Sequence, residues 1–345
     1  MAPRHQSESD SIPADAYRMP AEWEPHERCW MMWPTRAEIW SDIAATRRAF
    51  AAAARTIRLF EPVTMVVSPA DAMAARALLG PAIDVLEAPI DDSWCRDAGP
   101  CFLLDGKGDL AGVDFCFNAW GGKYQGYAND AAVAARILAA AGAERIGSRL
   151  VAEGGGVTVD GEGTLITTLS CFPNSNRNPD WGLAEIEDEL KRCLGVRKVI
   201  WLPGNSFDTE TDGHVDGVAV FARPGLVLVQ TTDDKSQPEY QAFAENLEAL
   251  RGQTDAKGRP LQVMEVKSAV GADSTSMRFC RSYVNFYMAN GALIMPCYGV
   301  EEDRATYRLF SEVFPERKIV PLVVDDIAFG GGGIHCITQQ QPRRN

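Results

Sequence analysis

The chain has 345 residues, 46% of them hydrophobic and 23% charged, which is ordinary for a globular protein and long enough for one large domain or two. Its net charge of −13 argues against nucleic acid or an anionic membrane as partner, because both require a basic footprint, and it suits a cationic ligand. Nine cysteines, odd in number and without a CxxC pair, suggest neither a disulfide framework nor a zinc motif, so a reducing cytoplasm is the expected compartment.

Residues 1–18 are polar, lack the apolar run of a signal peptide and read as a disordered leader before a single domain over 19–345. No stretch approaches the ~18 apolar residues of a membrane span. A strand over 29–33, a helix over 39–60 and a strand over 64–67 are expected first. The loop Trp94-Cys95-Arg96-Asp97-Ala98-Gly99-Pro100 then enters a hairpin, with strands over 101–104 and up to 117 joined by Asp105-Gly106-Lys107-Gly108. After a helix over 131–141, Glu153-Gly154-Gly155-Gly156 leads into a second hairpin, 157–159 and 164–168, through Asp160-Gly161-Glu162-Gly163. A helix over 183–194 and a strand over 199–202 follow. Thr211-Asp212-Gly213-His214-Val215-Asp216 opens a third hairpin, 218–221 and 226–230, then a helix over 240–250 and a strand over 261–266. The fourth hairpin, 284–288 and 293–295, turns at Asn290-Gly291, the strongest short hairpin signal, and precedes a helix over 305–314 and a strand over 319–324. Last come four glycines, 330–333, then Ile334, His335, Cys336 and a strand over 337–339.

The repeated unit is strand, strand, helix, strand, loop. Its loop markers Asp97, Glu153, His214, Tyr283 and Cys336 recur every 53 to 69 positions. Repeats of that size with loops at equivalent places predict about five modules around an axis, the terminal strand closing the unit that residues 29–67 begin. The alternative is an open α/β sheet, which needs more βαβ crossovers than these hairpins allow.

If the loops converge, Cys336, His214, Asp97, Glu153 and Asp216 share one pocket. Alone, Cys336 reads as a core thiol; after four glycines it is also placed as an exposed nucleophile. His214 titrates near neutrality and can move protons. Three acids around a thiol suppress its ionisation, a conflict removed when the substrate supplies the positive charge: a guanidinium paired with Asp97 and Asp216 neutralises them and favours the thiolate. Other readings stay open at single residues. Asp97 could pair with Arg96 or cap its turn, Glu153 could be a solvated loop acid, and His214 with Asp216 could ligate a metal. Against a metal, only four histidines are present, with His5 in the leader and His335 expected to point away from Cys336 on a strand. Trp94 is either packing or a wall beside a cation, and Cys95 reads as buried. An amine tail on the substrate would be met by an acid such as Asp208 or Glu210, since the loop 205–212 carries acids and no base.

These motifs resemble the agmatine deiminase family of the guanidine-modifying superfamily. The likeness rests on Pro20-Ala21-Glu22-Trp23-Glu24-Pro25-His26, Trp33-Pro34-Thr35-Arg36, Asp92 to Pro100, Glu153-Gly154-Gly155, Asn176-Arg177-Asn178-Pro179, Asp212 to Asp216, Ser282 to Tyr287 and Gly331 to Gln340, in order over residues 19–341. It is also similar to the porphyromonas-type peptidylarginine deiminases. The resemblance implies a five-module α/β propeller of the pentein type and hydrolysis of agmatine to N-carbamoylputrescine and ammonia without metal or organic cofactor. It implies Cys336 as nucleophile, His214 as general acid/base, Asp97 and Asp216 as guanidinium ligands, and Glu153 as the acid that orients the imidazole. Homo-oligomerisation is expected on the same ground. Gly217 and Gly333 stand where relatives would carry Asn, which leaves the guanidino compound open. Another guanidine such as peptidyl-arginine, or a guanidine-binding protein without turnover, are the alternatives.

Overall fold

The turn signals and apolar periodicity resolve into five small sheets in a computed structural model, which describes residues 17–272, 276 and 278–344. Strands β1 (Tyr17–Arg18) and β2 (His26–Met32), helix α1 (Ile43–Arg58), β3 (Val63–Val67), α2 (Ala72–Leu79) and β4 (Asp84–Glu87) come first. Then follow α3 (Cys95–Ala98), β5 (Cys101–Asp105), β6 (Leu110–Cys116), α4 (Ala119–Gly122), α5 (Val133–Ala141) and β7 (Glu144–Val151). The next two modules are β8 (Thr158–Val159), β9 (Thr164–Thr168), α6 (Leu183–Leu194) and β10 (Lys198–Leu202), and β11 (Ala219–Arg223), β12 (Leu226–Thr231), α7 (Tyr240–Leu250) and β13 (Gln262–Lys267). Then come β14 (Tyr287–Ala289), β15 (Ala292–Cys297), α8 (Glu301–Val313) and β16 (Lys318–Val323), and the chain ends with α9 (Asp325–Ala328) and β17 (Thr338–Pro342).

Every module is an antiparallel hairpin whose second strand pairs in parallel with the strand that returns after the helix: β5-β6-β7, β8-β9-β10, β11-β12-β13 and β14-β15-β16. The fifth is built from both chain ends, β17 lying antiparallel to β2 and β2 parallel to β3. This is the five-module α/β propeller.

Local chemistry explains the elements. Asp105 and Asp160 each fold their Asp-Gly-x-Gly turn by accepting from the backbone N–H groups two and four residues on. Helix α6 starts where the Glu185 carboxylate accepts from Gly182 N–H and stops at Gly195 in the left-handed region, φ 64°. Its buried residues Ile186, Leu190, Cys193 and Leu194 form one stripe against the sheet.

Four boundaries differ from expectation. Tyr17 and Arg18 pair with β5 instead of belonging to a leader, the rest of which lies outside the described residues. The helix expected over 39–60 is interrupted at Asp42, whose side chain caps α1 by accepting from Ala44 and Ala45 N–H. A further helix and strand, α2 and β4, extend the first module. Strand β14 begins at Tyr287 and not at 284, because Val284 to Phe286 turn inward toward the axis, where Asn285 meets the site. No helix among the described residues is long and apolar enough to cross a membrane.

Candidate active site

In each module the residues just ahead of the first hairpin strand lie at the axis. Asp97 sits in α3, Glu153 before the turn Gly154–Gly156, His214 before the turn Val215–Gly217 that contains Asp216, Asn285 ahead of β14 and Cys336 ahead of β17. Four of the five loops supply the five sequence-predicted catalytic and guanidinium-site residues, His214 and Asp216 coming from one loop; Asp97, His214, Asp216 and Cys336 line the cleft and Glu153 lies buried behind His214. Three of those residues fix a glycine: a Cβ on Gly155 would lie 2.5 Å from His214 Nδ1, 2.7 Å from Asp97 Oδ1 and 3.1 Å from Asp216 Oδ2, so this position must be bare for the three groups to converge.

Cys336, 8% exposed, lines the cleft and its Sγ lies 3.4 Å from Asp216 Oδ2. Asn285 Nδ2 donates to the sulfur at 3.2 Å, while Asn285 Oδ1 accepts from His335 N–H and Cys336 N–H, tying down the loop that presents the thiol. Asp97 accepts from Gly155 N–H at 3.0 Å and from Trp120 Nε1 at 2.9 Å. His214 places Nε2 3.3 Å from Glu153 Oε2 and Nδ1 3.6 Å from Asp97 Oδ1; Nδ1 has no hydrogen-bond partner among the described residues. Both Glu153 oxygens accept from Arg177 Nε, at 3.0 and 3.1 Å.

The charges follow from burial and neighbours. Burial pushes the Cys336 thiol up, and the Asp216 and Asp97 carboxylates push it further, to well above its ordinary value. Burial opposes a charged His214, yet the Asp97 carboxylate and the Glu153 contact outweigh it and hold the ring well above its ordinary value. Burial lifts the Asp97 carboxyl to about 6 against the pull of His214, with Asp216 and Glu153 adding to the rise. Asp216 and Glu153 are equally buried, but His335 holds the first, and Arg177 with His214 the second, below the usual carboxylate range.

Trp94 is buried, stacks on Trp40 at 5.6 Å and lines the same cleft as Asp97, Trp120, Tyr124, Glu210 and Cys336. Gly332 packs on its face, where a Cβ would strike the indole. Asp208 lines the adjoining part of the cleft, but its carboxylate accepts from Glu210, Thr211 and Gly213 N–H and from the Thr211 hydroxyl, so it shapes the loop 208–213. Glu210 accepts from Tyr124 OH at 2.6 Å and pairs with Arg278 at 3.1 Å. Arg278 and Arg281 also line the cleft, a basic element that the acid-rich loop 205–212 gave no hint of.

Two sequence expectations are corrected. His335 does not lie on a strand pointing away: β17 begins only at Thr338, and His335 turns inward with Nδ1 2.9 Å from Asp216 Oδ2 and Nε2 2.7 Å from Glu22 Oε1. Arg96 does not pair with Asp97; it is buried on the opposite side, donating to His335 O and Gln340 Oε1 and standing 3.6 Å from Glu22. Gly333 does not face the cleft, since a Cβ there would strike the Asn285 amide, whereas Gly217 does line it. Asn285, Arg177 and Glu22 all stood inside recognised motifs, but nothing local marked them as contacts of the thiol, of Glu153 and of His335. Glu153, Cys171 and His214 place donor atoms within 4.8 Å of one another. The Arg177 guanidinium occupies both Glu153 oxygens, so this set is matched to a cation already present and fits a metal poorly.

The description of the porphyromonas-type peptidyl-arginine deiminase family matches residues 18–342. An agmatine deiminase of Stutzerimonas stutzeri is 45% identical, the match covering 95% of this chain and 96% of that one, and one of Pseudomonas aeruginosa is 44% identical over the same shares. The solved agmatine deiminase of Enterococcus faecalis superposes with a TM-score of 0.93 at 36% identity, covering 100% of both chains. With the family model matched over residues 18–342 and these relatives alike over nearly their whole length, the chain belongs to the porphyromonas-type peptidyl-arginine deiminase family.

Proposed function

We propose that the chain hydrolyses agmatine to N-carbamoylputrescine and ammonia. The observation that carries this reading is one cleft in which the Cys336 sulfur lies beside Asp216 while Asp97 and His214 Nδ1, which has no hydrogen-bond partner among the described residues, approach the same point next to Gly155. A guanidinium entering there meets two carboxylates with charge-assisted hydrogen bonds, and its charge removes the repulsion that keeps the thiol protonated. The thiol releases its proton to solvent as the guanidinium charge arrives, and the thiolate attacks the guanidinium carbon. His214, already an imidazolium, gives its proton to the departing nitrogen, so ammonia leaves and an amidino-thioether remains. The neutral imidazole then takes a proton from water; the resulting hydroxide adds to the same carbon, the C–S bond breaks to return the thiolate, and the thiolate or solvent takes the hydroxyl proton as the ureido product departs. Glu153, fixed by Arg177, holds the ring for both steps.

Trp94 walls the aliphatic part of the substrate, with Glu210 at the end of the cleft as the acid for the distal amine and Asp208 as the residue that shapes its loop. The nine thiols are all free, which suits a reducing cytoplasm. A second reading is favoured by Arg278 and Arg281: a guanidine that carries a carboxylate, such as an arginine derivative, could be met by these bases. Ammonia release measured over agmatine, arginine and a peptidyl-arginine decides between them. Turnover of agmatine with a kcat/KM at least tenfold above the others is expected; preference for a carboxylated guanidine would overturn the assignment.

A further inference from the structure

His335 touches neither cleft wall, yet it is one of the most tightly held side chains near the site, 3% exposed with a carboxylate on each ring nitrogen. A neutral imidazole has a single N–H, so its other nitrogen would set a lone pair against carboxylate lone pairs at 2.7–2.9 Å in a site without solvent. With both carboxylates held below the usual carboxylate range, only the doubly protonated ring satisfies both contacts. We propose that His335 is a positioning residue, an imidazolium clamped between Glu22 and Asp216 that fixes the orientation and the negative charge of Asp216 for the incoming guanidinium. The inference rests on the deiminase reading above and extends it to a side chain behind the reacting groups.

The groups around this pair agree with it. Facing His335 are Glu22 from the segment between β1 and β2, Asp216 from the loop before β11, and Arg96 from α3, which opposes the ring's charge but also stands 3.6 Å from Glu22 and keeps that acid ionised. Facing Asp216 are His335, Cys336, His214 and Asp97. With burial and the Asp97 carboxylate pressing on it, Asp216 without the His335 cation behind it would take up a proton and leave the guanidinium one carboxylate short. Glu22 makes the N-terminal segment part of this support, across 313 positions of sequence.

The charge is read directly by imidazole ¹⁵N NMR of histidine-labelled enzyme, with His335→Gln identifying the signal. Both His335 nitrogens should stay protonated up to pH 8; a neutral ring at pH 7.5 overturns the proposal. Kinetically, His335→Gln should raise KM for agmatine about tenfold or more with a smaller loss of kcat, and should raise the Asp216 carboxyl by about 1 to 3 pH units, the scale of removing an adjacent opposite charge, so that the acid limb of kcat/KM set by Asp97 gains a second proton and steepens. Glu22→Gln should change both in the same direction and by less, because the amide oxygen still accepts from Nε2. A uniform loss of kcat with KM and pH profile unchanged in both variants marks a merely structural residue and overturns the proposal. A wild-type enzyme without activity on agmatine would defeat the assigned reaction, while the NMR result would still decide the charge of His335.

Discussion

Replacing Asp216 by Asn should make Cys336 more reactive and the enzyme less active. The carboxylate lies 3.4 Å from the sulfur with both groups buried. Two unit negative charges at that separation repel by about 5 kcal/mol at an effective dielectric constant of ~20. Reorganisation and the cation behind Asp216 reduce the part that is felt. If only ~1.4 kcal/mol survives, the thiolate population at fixed pH rises tenfold on removing the charge. A thiolate of lower basicity is also a weaker nucleophile, which cancels about half of this gain on a logarithmic scale. Alkylation of Cys336 by iodoacetamide at pH 7, with the labelled peptide located by mass spectrometry, should therefore be at least about threefold faster in Asp216→Asn than in the wild type. Agmatine kcat/KM should fall at the same time, because the amide presents a donor to the guanidinium donors. An alkylation rate in the variant equal to or below that of the wild type would refute the reasoning, and would mean that burial alone protonates the thiol. A wild-type thiol titrating below pH 7 would point instead to a preformed ion pair with His214.

Cys336→Ala should retain the fold and lose turnover; residual kcat above about 1% of wild type, a loss below ~2.7 kcal/mol, would exclude it as nucleophile. Because the Asp97 carboxyl is raised to about 6, kcat/KM should fall as pH drops through 6, and Asp97→Asn should abolish that limb while costing about 1.5–3 kcal/mol, roughly 10- to 150-fold, in kcat/KM. The same rise means that the folded state binds this proton more tightly than the unfolded chain, so ionising Asp97 destabilises the protein as pH rises from 3.8 through 6. Asp97→Asn should accordingly have a higher Tm than wild type at pH 7.5, and a lower Tm would show that the ionised carboxylate contributes net stability. Gly155→Ala should depress kcat/KM at least tenfold in a folded protein, since the added methyl meets His214 and Asp97 at 2.5 and 2.7 Å; circular dichroism and kinetics on one sample separate this from misfolding.

Local signals in the chain were enough to place the modules, because turns and helix stripes are written in neighbouring residues. Asp-Gly-x-Gly twice and Asn290-Gly291 once set the hairpins, and the stripe of α6 set its boundaries at Leu183 and Leu194. The recurrence of loops ahead of those hairpins also showed that Asp97, Glu153, His214, Asp216 and Cys336 would meet. What stands behind them was not legible, for a physical reason: a buried ionised group is stable only beside a partner, and that partner is chosen by proximity in space. A pair between Asp97 and adjacent Arg96 was one reading left open by the sequence, but Asp97 faces His214, while Arg96 is turned to Glu22 and Gln340. His335, expected on a strand, turned inward because residues 330–336 form a loop held by Asn285, so strand alternation did not apply. Glu153 meets Arg177 once the loop after β9 has folded back within its own module, whereas Asp216 meets His335 only once the modules have closed, and the closure itself depends on β17 pairing with β2 from the other end of the chain. Short-range backbone preference thus determines which residues reach the axis, and long-range charge pairing determines their protonation when they arrive there.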